Sequence, residues 1–134
     1  MLPTMLPRCY VASPLGFTEA GRYYYDDRLI PALESVVSPV DPWALTQEAE
    51  IAAAIESHDG AQGLAMEMGR RNARAIDGCQ LLVAVLDGQE VDSGTASEVG
   101  YAYARGLPCL GLRSDLRKAG EQGAQINLQV EFFI

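Results

Sequence analysis

Residues 79–87, "CQLLVAVLD", carry the strongest strand signal in the chain. A run that is apolar at consecutive positions and partly β-branched suits a strand covered on both faces, which places it at the centre of a sheet. The segments around it alternate accordingly. "RCYVAS" (8–13) predicts a first strand and "SPLGF" the loop after it. From Thr18 to Val36 the spacing is helical, with Tyr23, Asp27 and Ile30 in one row and Leu29, Leu33 and Val36 beside them. Pro31 removes one helix hydrogen bond there, so a kink or break is expected. "VVSPVD" (36–41) predicts a short strand, at an edge because of Pro39.

Two helical stretches follow, 46–56 and 61–77, separated by "SHDG". Residues 93–105 predict a helix closed by Gly106, and "LPCLGLR" (107–113) a further strand. Strands alternating with helices predict one domain over residues 1–134, a three-layer α/β fold with a mainly parallel sheet. Ligands in such sheets bind outside the carboxyl ends of the strands. The tail "INLQVEFFI" stops on an apolar residue without a cap, and a C-terminal segment is expected to be missing.

Charge narrows the function classes. The chain of 134 residues has 18 acidic and 10 basic residues, a net charge of −8. It has neither a Lys/Arg stripe nor a basic aromatic groove, which argues against a nucleic-acid polymer or an anionic membrane as partner. Cys9, Cys79 and Cys109 are widely spaced among apolar neighbours and read as small buried hydrophobes in a reducing cytoplasm. No zinc spacing, dinucleotide fingerprint or phosphate-binding glycine loop is present. The N-terminus reads as neither signal peptide nor anchor.

The stretch after the central strand, "DSGTASEVG" (92–100), falls where such a fold keeps its chemistry. Thr95 and Glu98 fit a capping box, in which threonine caps the helix and glutamate reaches back to it. The same stretch holds a second carboxylate, Asp92, and Gly94, which allows close approach of backbone to a ligand. Two carboxylates facing one pocket can divide the work of cleaving a nucleoside C–N bond, one as nucleophile and one managing the proton of the leaving base.

"YVASPLGF", "GRRNARAIDGCQLLVAVLDG", "DSGTASEVGYAYARGLP" and "INLQVEFFI", in this order, resemble the nucleoside 2-deoxyribosyltransferase family over most of the chain. The resemblance implies a flavodoxin-like, Rossmann-like fold, a homodimer or higher homo-oligomer, and no metal or cofactor. It also implies double displacement on deoxynucleosides and nucleobases. Glu98 would be the nucleophile, Tyr10 would orient it, and Asp92 would contact the base or manage its proton. Ser13, Pro14, Gly16 and Phe17 would wall the sugar and base, and Asn127 would reach into a neighbouring subunit's site. Asn72 stands where family members often carry an acidic residue.

Other residues stay open. Trp43 could stack on a base or fill space above an edge strand, and Asp41 could bind a ligand or end that strand. Of Tyr23, Tyr24 and Tyr25, one or two at most face the core. Arg22 or Arg71 could meet a 5′-phosphate, and His58 reads as an exposed loop residue. Two alternatives to transfer remain: a nucleoside or 5′-nucleotide N-glycosidase using water as acceptor, and a non-catalytic nucleoside- or nucleotide-binding module.

Overall fold

The computed structural model describes residues 5–57 and 59–134; His58 lies outside them. Four strands, β1 (Arg8–Ala12), β2 (Ser38–Val40), β3 (Leu81–Val85) and β4 (Cys109–Leu112), form one sheet in the order β2-β1-β3-β4. Every pairing is parallel. The chain winds from β1 outward to β2, returns past β1 to β3, and then moves on to β4. The winding reverses between β1 and β3, and the crevice at their carboxyl ends is where such sheets hold ligands. The expected three-layer α/β architecture is therefore present, with Pro39 on an edge strand and β3 central beside β1.

Successive side chains of the central strands point to opposite layers. Tyr10, Ala12, Leu82 and Ala84 pack with Ile76 of α4 (Gly60–Asp77), Val99 and Ala102 of α5 (Ser93–Ala104), and Val130 of α6 (Leu128–Phe133). On the other face, Val11 and Val85 pack with Tyr25 and Leu29. A further helix, α3 (Glu48–Ile55), lies against α4. Among the described residues no helix is long and apolar enough to cross a membrane.

The helix expected over 18–36 is built in three pieces. α1 (Glu19–Tyr24) widens into a π-helical turn at Tyr25–Leu29 and resumes as α2 (Ile30–Glu34). Ile30 N–H bonds to Tyr25 O, five residues back, so the ladder is already off register when Pro31 arrives without an N–H in the first turn of α2. The widened turn carries Tyr25 into the core at 2% exposure, while Tyr23 and Tyr24 stay outside. The strand at 79–87 shortens to Leu81–Val85, because Leu86 and Asp87 already begin the crossing to α5.

That crossing is held by the loop after β4. Asp87 accepts hydrogen bonds from the Ser114 hydroxyl (2.6 Å) and the Asp115 N–H (2.9 Å). Gly88, at φ 122°, turns its N–H onto Asp115 (3.2 Å), and the Arg113 guanidinium donates to the carbonyls of Leu86 and Gly88. The segment leading to Asp92 is therefore fixed by polar contacts as well as by the packing of Leu86 and Val91 on the core.

Burial pushes the Asp87 carboxyl up, but the hydrogen bonds from Ser114 and Asp115 and the charge of Arg113 outweigh it and hold the group below its ordinary range. A depressed folded-state value makes this contribution complete above the unfolded carboxyl pKa of about 3.9 and lost as pH falls through the folded value. Asp87→Asn is expected to cost about 1–2 kcal/mol in urea unfolding at pH 7. The gap from wild type should hold to about pH 5 and narrow below about pH 4.

Candidate active site

The crevice between β1 and β3 is built from the loops that leave them. Ser13 follows β1 directly and accepts the Leu15 N–H (3.1 Å), opening a short turn at Leu15–Phe17. After β3 the crossing ends at Asp92, whose Oδ2 accepts the Thr95 N–H (2.9 Å) and hydroxyl (3.2 Å). Asp92 is thus the N-cap of α5, and Thr95 lies one turn inside the helix. The capping box that the local pattern of Thr95 and Glu98 fits does not form, because Asp92 supplies the cap from three residues earlier. A Cβ at Gly94 would stand 3.1 Å from Asp92 Oδ2, so glycine leaves the carboxylate room to fold over the helix end.

Freed from capping, Glu98 turns toward the sheet. Its Oε1 accepts the Tyr10 hydroxyl at 2.7 Å and the Asn72 amide Nδ2 at 3.3 Å. No donor reaches Oε2 among the described residues. Tyr10 comes from the centre of β1 and is wholly buried, while Asn72 comes from α4. Burial raises the Glu98 carboxyl above its ordinary pKa, the Tyr10 hydrogen bond partly offsets this, and the charge of Asp92 adds to the rise. The Tyr10 phenol is driven far upward, first by burial and then by the negative charge of Glu98, and stays a proton donor.

Glu98, Asn72 and Asp92 open onto a cavity of about 200 Å³, with Ser13, Phe17, Trp43 and Gly94 also in its lining. Trp43 is the main apolar wall. Asp41 Oδ1 accepts its N–H (2.9 Å) and also the Tyr25 hydroxyl (2.9 Å), so Asp41 anchors the wall from behind. Phe17 meets the indole at 4.8 Å between centroids and 87° between planes, and the Arg22 guanidinium lies 5.9 Å from the ring. At Gly16 a Cβ would come within 2.3 Å of Trp43 Cε2; only glycine lets the β1 loop close on the indole. The indole N–H is buried and has no partner among the described residues.

Of the residues expected here, Ser13, Phe17, Trp43, Asn72, Asp92, Gly94 and Glu98 line this cavity, and Tyr10 touches it through Glu98. Gly16 and Asp41 face an adjoining cavity behind Trp43, together with Arg22. Pro14 precedes the short turn as its N-cap residue and is not in the lining. Asn127 lies apart. It caps α6 through Gln129 N–H (2.9 Å), donates to Glu121 (2.9 Å), and lines a separate cavity of about 450 Å³ beside α6. Pro42, Met68 and Thr95 were not anticipated. Met68 precedes Asn72 by four residues and Thr95 precedes Glu98 by three, so helical spacing alone could have found both.

No cation lines the Glu98 cavity among the described residues. Arg71 is bound to Glu50 (2.8 Å), Glu67 (3.4 Å) and the Leu45 carbonyl (3.0 Å). The free cysteines are poor nucleophiles: burial pushes the Cys9 thiol up to about 11 and raises Cys79 and Cys109 as well. Two further cavities, the one at Asn127 and one of about 400 Å³ beside Arg113, lack a paired phenol and carboxylate.

Known proteins share this architecture. A conserved protein from Enterococcus faecalis V583 superposes with a TM-score of 0.66 at 27% identity, covering 96% of this chain and 86% of that one. A 2-deoxyribosyltransferase from Bacillus psychrosaccharolyticus superposes at 0.63 and 18% identity, covering 95% and 82%, and supports the fold. No curated protein sequence matches. The sequence profile of the nucleoside 2-deoxyribosyltransferase family matches residues 9–133. The chain belongs to the nucleoside 2-deoxyribosyltransferase family.

Proposed function

We propose that this protein transfers a 2-deoxyribosyl group between nucleobases by double displacement through a covalent Glu98 intermediate. The observation that carries the reading is the Glu98 carboxylate, half-buried at the crevice with Oε1 held by Tyr10 and Oε2 without a partner among the described residues. In the first step a lone pair of the carboxylate forms a C–O bond to the anomeric carbon while the C–N bond breaks. The departing base keeps that electron pair and takes a proton from water, passed along Asp92 Oδ1, the oxygen not used in capping α5. A second base then attacks the anomeric carbon through a ring nitrogen, Glu98 leaves as carboxylate with the C–O bonding pair, and the proton lost from that nitrogen returns along Asp92 to the hydroxide left by the first step.

The apolar walls supplied by Phe17, Trp43 and Met68 support transfer over hydrolysis, because they keep water from the ester while a planar base enters. Hydrolysis of the same intermediate is the competing outcome. A homo-oligomer in which Asn127 serves a neighbouring site completes the reading, since in its own chain Asn127 faces elsewhere.

Two experiments test this reading. Incubation with 2′-deoxyinosine and free adenine should give deoxyadenosine and hypoxanthine, with Glu98→Ala at least about 10³-fold slower. Hypoxanthine without deoxyadenosine would mean hydrolysis. Binding without turnover at high enzyme concentration would leave a nucleoside-binding module. A cavity with two carboxylates and no cation also disfavours a phosphate. The 5′-monophosphate of the same deoxynucleoside should therefore fall at least about tenfold in kcat/KM. Equal use of both would contradict the neutral-substrate reading.

A further inference from the structure

Asn72 makes a contact that substrate binding does not require. Its Nδ2 lies 3.3 Å from Glu98 Oε1, the same oxygen that takes the Tyr10 hydroxyl at 2.7 Å. We propose that Asn72 is a positioning residue: with Tyr10 it pins Oε1 from a second direction and so leaves Oε2 as the oxygen presented to the anomeric carbon. The inference rests on the reading of Glu98 as nucleophile.

The physical case concerns the plane of the carboxylate. One donor on one oxygen still permits the carboxylate to rotate about the hydrogen bond. Two donors from separate rigid elements, β1 and α4, remove that rotation, and both are charge-assisted when Glu98 is ionised. Holding the attacking atom in one orientation is where proximity effects gain most of their rate.

An amide is suited to this position because it donates at every pH. The Tyr10 phenol on β1 bonds Glu98, the charge of the Asp92 carboxylate at the start of α5 acts on it, and the charge of Glu98 is felt in turn by the Tyr25 phenol, which is bonded to Asp41. From α4 come the neutral side chains Asn72 and Met68, and no cation lines the cavity among the described residues. A carboxylate at position 72 would therefore add like charge beside Oε1, and it could donate only by holding a proton the pair must share.

The test uses three variants and two measurements. Asn72→Asp keeps the side-chain shape, Asn72→Ala removes the donor, and Glu98→Gln identifies the Glu98 signal in protein labelled with carbon-13 at the glutamate carboxyl. NMR titration should show the Glu98 carboxyl titrating at least about one pH unit higher in Asn72→Asp than in wild type. The acid limb of kcat/KM for 2′-deoxyinosine should move up with it. Asn72→Ala should lose about tenfold in kcat with KM little changed.

An unmoved Glu98 titration in Asn72→Asp, or an Asn72→Ala effect confined to KM, would overturn the positioning role and leave the nucleophile reading intact. Turnover surviving in Glu98→Gln would remove the nucleophile reading and this inference with it. The NMR titration needs no turnover, so a failure of catalysis and a failure of positioning give different results.

Discussion

The hydrogen bond from Tyr10 to Glu98 joins residues 88 positions apart and sets the layout of the crevice. A wholly buried phenol needs a partner, and a half-buried carboxylate needs a donor that stays protonated. The two requirements meet only because β1 pairs directly with β3, which brings α5 over the upward face of Tyr10. The strand order and the carboxylate are thus one constraint. Any register in which Tyr10 pointed to the other layer would leave Glu98 without its donor and Tyr10 without an acceptor.

Around that bond the other carboxylates of the site are tied into the fold through at least one oxygen. Asp92 is occupied by the end of α5, Asp41 by Tyr25 and Trp43, and Asp87 by the loop after β4. Each accepts several hydrogen bonds, as a buried or half-buried carboxylate must. Glu98 differs in that both of its donors are side chains, from β1 and α4, whereas each of the others accepts a backbone N–H. With a net charge of −8 and the cation nearest in sequence to Asn72 already tied to Glu50, the cleft suits a neutral ligand.

Much of this was legible in the sequence because the signals are local. The apolar run at 79–87 and the polar turn at 92–100 place a central strand, an exit and a helix in succession, and the acidic residues of that turn fall in the crevice. Other features depend on partners distant in sequence. The competition between Thr95 and Asp92 for the cap of α5 is settled by the path of the crossing from β3, which Asp87 and Arg113 hold through contacts with residues 25–28 positions away. Pro31 announced an irregularity, but whether it would be a break or a π-helical turn depended on Tyr25 finding Asp41. The tail gave no helical signal of its own, since α6 has six residues and is ordered by burying Val130 against the core. Asn127, placed in the site by resemblance, is held in its own chain by α6 and Glu121.

The central claim is that Glu98 becomes covalently attached to the sugar. The most direct measurement is mass spectrometry of the protein after incubation with a 2′-fluorinated 2′-deoxynucleoside, whose electron-withdrawing fluorine slows breakdown of the ester. One base should be released per site, with a fluorodeoxypentosyl mass increment on the peptide that contains Glu98. Base release in wild type with the adduct on another residue, or with none while Glu98→Ala releases base equally fast, would contradict it.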